Sequence, residues 1–177
     1  SIKEGASVPF IRPKDLATDT ALATETIKHA VLQYENINQR KVDIVVMLQP
    51  TAPLRSSEHI DSALKLFLES EKDSLMSIVK VNNSHPFKMK RIVGDLLVDF
   101  IETGLENPPR QSLPILYVVN GALYIVKRDI LVENKSFKGS SCIPFVMDME
   151  SSVNIDGEID FFVAEKYLKL KGDNQNG

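Results

Sequence analysis

The apolar residues of the chain switch between two spacings, and each switch predicts an element. Ala23, Ile27, Ala30, Val31 and Tyr34 recur three and four residues apart, the stripe of an amphipathic helix, with N-caps offered at residues 18–20. Residues 42–48 form an apolar, β-branched run bounded by charge and then by Pro50, which predicts a buried parallel strand. Ser56 or Ser57 caps a second helix whose inward stripe is Ile60, Ala63, Leu64, Phe67 and Leu68. Residues 74–81 read as another strand, and 82–86 as a turn cluster. Beyond it, 87–91 and 96–101 flank Gly94-Asp95 as a hairpin, and 106–111 form a loop. Segments 116–119 and 122–126 return to strand character around Asn120-Gly121, and 128–132 suggest a short helix. Residues 145–149 and 153–155 read as further strands. Ile159, Val163, Tyr167 and Leu170 stripe a closing helix, with a frayed end over 172–177. Residues 1–19 are irregular.

Strands alternating with helices predict an α/β layer around a largely parallel sheet. Residues 84–116 stand apart as an excursion too polar to form a core of its own, and the whole of 1–177 forms one domain. Neither a G-x-G-x-x-G nor a G-x-x-x-x-G-K-[ST] turn occurs anywhere.

Composition narrows the field only modestly. A net charge of −3 argues against a non-specific nucleic-acid binder but leaves a nucleotide site open. Cys142 is the only cysteine, so no intrachain disulfide forms and a reduced, cytoplasmic setting is expected. No apolar run approaches the ~18 residues of a membrane span, so no membrane partner is expected.

The chemistry concentrates at L-Q-P-T-A-P-L-R, residues 48–55, where a buried strand stops at prolines and throws Gln49, Thr51 and Arg55 into one turn. Such a turn lies at the carboxyl edge of an α/β sheet, where ligands bind. Read with its surroundings, it resembles the acylneuraminate cytidylyltransferases (CMP-sialic acid synthetases). R-P-K-D-L-A-T-D-T from Arg12 to Thr20 resembles the family's R-P-x-x-L-A-x-D-T, and the turn its L-Q-P-T-S-P-L-R. H-P-F-K at 85–88, R-Q-S-L-P at 110–114, Tyr117, N-G-A-L-Y-I at 120–125 and V-N-I-D at 153–156 follow in family order.

The resemblance implies a Rossmann-like, three-layer nucleotide-diphospho-sugar transferase fold with a β-hairpin dimerisation arm at 84–116. It implies a homodimer that joins CTP to sialic acid or a related nine-carbon α-keto acid sugar, using Mg²⁺ and releasing pyrophosphate. The family's Gly-rich phosphate loop belongs ahead of Ser1, so the domain is expected to be N-terminally truncated and poorly active alone. The alternative is a non-catalytic sugar-binding or dimerisation module derived from the same fold.

Residue by residue, the resemblance gives Gln49 a contact with a sugar hydroxyl or amide; without it, Gln49 reads as a strand-end residue that satisfies loop backbone. Arg12 is implied at the nucleotide, or else sits in a surface ion pair. Thr20 is implied there too, and also reads as a helix cap. Lys88 and Arg110 are implied near the sugar carboxylate or phosphates of a partner subunit, or are solvated charges. Tyr117 walls the sugar pocket or is a core tyrosine. Asn120-Gly121 is read as a bulge or turn that lets backbone approach the ligand, and Asn120 either meets the sugar or only holds that turn. Asp156 is the implied metal ligand. The family carries a second carboxylate two residues before it, where this chain has Asn154, so metal affinity is expected to fall. Asp160 is read as a cap of the last helix, His85 as shaping the entry to the excursion, and His29 and His59 as surface residues.

Overall fold

A computed structural model describes residues 2–82, 84–104, 106 and 108–175, the side chains of 171–175 excepted. The expected turn at 82–86 and loop at 106–111 fall partly on residues outside this set. Two 3-10 turns, Ile2–Glu4 and Lys14–Ala17, precede helix α1 (Ala23–Asn38). Strand β1 (Ile44–Met47), helix α2 (Ser57–Ser70) and strand β2 (Ser74–Lys80) follow. The excursion carries a 3-10 turn at Pro86–Lys88, strands β3 (Lys90–Val93) and β4 (Leu96–Asp99), and a second such turn at Arg110–Ser112. Strand β5 (Tyr117–Lys127), helix α3 (Arg128–Asn134), strand β6 (Cys142–Met147) and helix α4 (Glu158–Gln175) complete the chain.

Four strands form the main sheet in the order β1-β5-β2-β6. The expectation of a largely parallel sheet is corrected here. Strand β5 runs antiparallel to both β1 and β2, and β2 with β6 is the parallel pairing. Alternation along the strands sends side chains to two faces. Val45, Met47, Met76, Tyr124 and Val126 meet Ile27 and Val31 of α1 and Leu131 of α3. Ile44, Val46, Leu75, Leu123 and Ile125 meet Ala63 and Phe67 of α2. Helices therefore cover both faces, giving three layers. A half-buried fork fastens the first of them: Arg128 donates from Nε and Nη2 to the two carboxylate oxygens of Glu35, each at 2.9 Å.

Several boundaries differ from the sequence pattern, each for a local reason. The two strands expected around Asn120-Gly121 are one 11-residue strand, because the Asn-Gly pair makes a bulge rather than a hairpin turn. Residues 153–155 pair with no strand; they form a loop tied back by the Ile155 N–H donating to the Thr51 carbonyl at 2.8 Å. Thr20 does not cap α1. Its N-cap is Leu22, with no side-chain bond, while the Thr18 and Thr20 hydroxyls pair with each other at 3.4 Å. Ser56 does cap α2, in a reciprocal box with His59 Nδ1 accepting from the Ser56 N–H at 3.1 Å. His59 is half-buried there, edge-on to Phe145, and His29 lies edge-on to Phe10, so neither is a plain surface residue. Helix α4 continues to Gln175, past the frayed start expected at 172.

The excursion leaves and rejoins the sheet at one knot. His85 is buried, accepts at Nδ1 from the Phe87 N–H (3.2 Å), and lies 3.0 Å through Nε2 from the Pro114 carbonyl. A neutral ring with its proton on Nε2 satisfies both contacts. Between these ends, β3 and β4 pair with each other and, among the described residues, with no other strand.

Candidate active site at the carboxyl edge

The site begins where β1 ends. Prolines 50 and 53 cannot continue the ladder, and the turn closes through the Ala52 N–H donating to the Gln49 carbonyl (3.3 Å). Ala52 and Leu54 are buried, which anchors the turn from below. Arg55 reaches back across it. Its Nη1 donates to the carbonyl of Gln49 (3.1 Å) and to that of Ala122 in β5 (2.6 Å).

Opposite the turn lies the bulge of β5. Met76 faces Tyr124, yet Ile78 faces Val119 rather than Ala122, so β5 carries three extra residues at this point. Ser77, fully buried in β2, fills the gap. Its hydroxyl donates to Asn120 Oδ1 (2.6 Å) and accepts from the Leu123 N–H (2.8 Å). Asn120 Oδ1 also accepts from the Ala122 N–H (3.2 Å), and its Nδ2 donates to the Ser152 hydroxyl (2.8 Å). Gly121 stands at φ +73°, and a Cβ placed on it would lie 2.6 Å from Gln49 Oε1. Only glycine lets the Gln49 amide lie against the bulge.

The loop before α4 supplies the third wall. Asn154 donates through Nδ2 to Asp156 Oδ2 at 2.8 Å, while its Oδ1, buried near Gly121, has no hydrogen-bond partner. Asp160 Oδ2 accepts from the N–H groups of Asp156 (2.9 Å) and Gly157 (2.8 Å), capping α4 as expected of it.

Three hollows open along this edge. One of about 420 Å³ is lined by Val79, Val118, Asn120, Gly121, Tyr124 and Asp156, among others. A second, about 320 Å³, brings Arg12 and Gln49 together with Thr18, Thr26 and Leu48. The third, about 250 Å³, holds Arg110, Lys80, Asn82 and His85 at the root of the excursion. Another hollow of about 410 Å³ lies at the far edge among Lys41, Glu71 and Arg128, away from these groups.

Gln49, Asn120 and Asp156 therefore converge, and Arg12 joins Gln49. Arg110 lies in its own hollow, on the excursion side. Thr20, Lys88 and Tyr117 are exposed and line none of the three. Asn120 is buried and its amide is engaged by Ser77, Ser152 and the Ala122 N–H, which gives it the job of holding the bulge. Sequence reasoning missed Ser77 and Ser152. A lone serine inside the apolar run of β2 was the available signal for the first; nothing in the pattern marks the second. Tyr124 lines the hollow of about 420 Å³, and burial pushes its hydroxyl above its ordinary pKa.

For a hard cation the donor set is thin. Asp156 offers an exposed carboxylate already bonded at Oδ2 by a neutral amide, and among the described residues no cluster of three or more His, Cys, Asp or Glu forms. One carboxylate suits Mg²⁺ if phosphate oxygens and water complete the shell.

No family model matches the chain. It is 32% identical over 171 residues to the post-translational flagellin modification protein B of Campylobacter coli, covering 97% of this chain and 72% of that one. It is 34% identical over 169 residues to the CMP-N,N'-diacetyllegionaminic acid synthase of Campylobacter jejuni, covering 96% and 71%. With the N-acylneuraminate cytidylyltransferase of Escherichia coli it shares 34% over 167 residues, covering 93% of this chain and 38% of that longer one. Among solved structures, a CMP:2-keto-3-deoxy-manno-octonic acid synthetase complexed with CTP superimposes with a TM-score of 0.52 at 12% identity, covering 84% of this chain and 70% of that one. That likeness shows the fold.

Proposed function

From the premise that this chain belongs to the family of CMP-sialic and CMP-legionaminic acid synthases, we propose that it joins the cytidylyl group of CTP to a nine-carbon α-keto acid sugar and releases pyrophosphate. The observation that carries this reading is the convergence of Gln49, the Gly121 bulge and Asp156 beside the hollow holding Arg12. Gln49 binds a hydroxyl or amide of the sugar, with Gly121 admitting it. Arg12, a permanent cation, attracts the nucleotide phosphates. The attack of the anomeric hydroxyl on the α-phosphate breaks the bond to the pyrophosphate, so positioning and charge neutralisation do most of the work. Asp156 is the residue that would hold Mg²⁺, whose contribution is to offset charge on the phosphates. With CTP as substrate, the reaction is placed in the cytoplasm.

The excursion is proposed to pair two copies. Ile92 and Leu97 face each other across the hairpin and are 77% and 70% exposed, as are Leu96 and Phe100 in large part. So much exposed apolar surface on two strands is a docking face. A second copy seated there brings Lys88 and Arg110 toward a neighbouring site. Sedimentation equilibrium tests this: Leu97→Lys is expected to shift a dimer to monomer, and a wild-type monomer at micromolar concentration refutes it.

The catalytic reading is tested by pyrophosphate release with CTP, Mg²⁺ and either N-acetylneuraminate or N,N'-diacetyllegionaminate. Turnover that falls at least tenfold in Gln49→Ala and Arg12→Ala supports it. Sugar binding with no dependence on CTP or Mg²⁺ and no turnover overturns it in favour of a binding module.

A further inference from the structure

Arg55 is the feature that the proposed chemistry leaves unused. It is a partly buried guanidinium whose only perturbing influence is burial, which pushes its pKa below the ordinary value. Its Nε is buried with no hydrogen-bond partner. A side chain that served stability alone would be expected to sit against a carboxylate, as Arg128 does against Glu35. Instead one nitrogen spans two backbone carbonyls that belong to the two halves of the site, Gln49 on the turn and Ala122 on the bulge. The turn is otherwise held by the loop before α4, whose Ile155 N–H reaches the Thr51 carbonyl, and by the buried Ala52 and Leu54 beneath it.

We propose that Arg55 is a positioning residue for the acidic sugar: by holding the Gln49 and Ala122 carbonyls on one nitrogen, it fixes the Gln49 amide over Gly121. The inference rests on the reading that Gln49 binds the sugar. Its reach is set by geometry. The Gln49 amide oxygen and the Gly121 backbone are close enough that a Cβ would not fit between them, so a small rotation of the turn moves the amide out of register with a ligand in either adjoining hollow. Small displacements of positioning groups are costly to binding and turnover. Arg55 acts through Gln49 and touches no ligand itself.

The test is a double-mutant cycle on the full chain, read by calorimetric titration of N-acetylneuraminate and N,N'-diacetyllegionaminate in the presence of CTP. Gln49→Ala and Arg55→Ala are each expected to weaken sugar binding about tenfold, and the double variant no further, because the second change removes a support with nothing left to support. Arg55→Lys keeps the charge but lacks the planar fork, so it folds normally and weakens sugar binding about threefold, again only while Gln49 is present. Unchanged affinity in both Arg55 variants, or losses that multiply with that of Gln49→Ala, overturn the inference while leaving the Gln49 contact standing. If Gln49→Ala itself leaves affinity unchanged, or the chain binds neither sugar, the reading of Gln49 fails and the role of Arg55 falls with it. A purely structural arginine would lower the melting temperature alone.

Discussion

Replacing Gly121 by alanine sets two effects against one another that separate structure from function. The residue sits at φ +73°, where an L side chain is strained by about 1–2 kcal/mol. For a chain of this size, each kcal/mol lowers the melting temperature by about 2–4 °C, so a fall of about 2–8 °C is expected. The added methyl also meets Gln49 Oε1 at 2.6 Å, while its contact with Asn154 Oδ1 at 3.7 Å is ordinary. The Gln49 amide is the soft partner, so it swings away rather than forcing the strand. Losing one neutral hydrogen bond to a ligand costs about 0.5–1.5 kcal/mol, which is about a 2- to 13-fold loss of sugar affinity. Differential scanning calorimetry and titration calorimetry on the same preparation read both numbers. A lowered melting temperature with unchanged sugar affinity would refute the placement of Gln49 at the sugar. An unchanged melting temperature would refute the strained bulge.

Other consequences are equally direct. The Ser140 hydroxyl, then Ser141, hold the Asp73 carboxyl at about 2, below its ordinary 3.8. Because the folded value is the lower one, that stability is complete above about pH 4 and is lost as pH falls toward 2; Asp73→Asn is expected to flatten the acid limb of a circular-dichroism titration in this window, and an unaltered limb would assign acid unfolding to other groups. Asn154→Asp places two carboxylates on one loop, and Mg²⁺ or Mn²⁺ is expected to bind on the order of tenfold more tightly because charge count tunes such sites. Titration of the metal alone checks this, and equal affinity would remove Asp156 from the metal site.

What was legible in the sequence was whatever local periodicity determines. The helical stripes of α1 and α2 and the apolar runs of β1 and β2 specify their own elements, because burial on one or both faces leaves its period in the chain. Strand direction leaves no such mark. Ala122, Leu123, Ile125 and Val126 are fully buried in an antiparallel strand, yet the same residues would suit a parallel one. Asn120-Gly121 was ambiguous for a second reason. Asn followed by Gly is the strongest short hairpin signal, and only the buried hydroxyl of Ser77, 43 residues away in the chain, turns it into a bulge. Thr20 offered good capping chemistry, but α1 starts after Leu22 and leaves it outside. The site residues on β1 and on the loop before α4 were legible through the family resemblance rather than through pattern. Those that the fold recruits across the sheet, Ser77 and Ser152 behind Asn120, were not.

The antiparallel strand explains why these groups meet at all. In a wholly parallel sheet, each strand would deliver its polar turn at the same edge and then leave it, so neighbouring turns would meet only through side chains. Here β5 enters from that edge: its first half runs beside the end of β2, and past the bulge its second half pairs with β1, Tyr124 lying opposite Met47 at the end of that strand. Backbone is thereby brought to the site along with side chains. The extra residues of the bulge then lift Gly121 toward Gln49, and the Ala122 carbonyl becomes available to Arg55. Bulges re-aim backbone in this way next to functional sites, at the cost of ladder bonds that must be replaced. Asn120 and Ser77 replace them: between them they bond the Ala122 and Leu123 N–H groups that the broken register leaves over. The buried polar pair is therefore the condition for the close approach at Gly121, and the close approach is the condition for Gln49 to face the cleft. A chain that kept the turn at residues 48–55 but replaced Ser77 with an aliphatic residue should retain its sheet and lose that alignment.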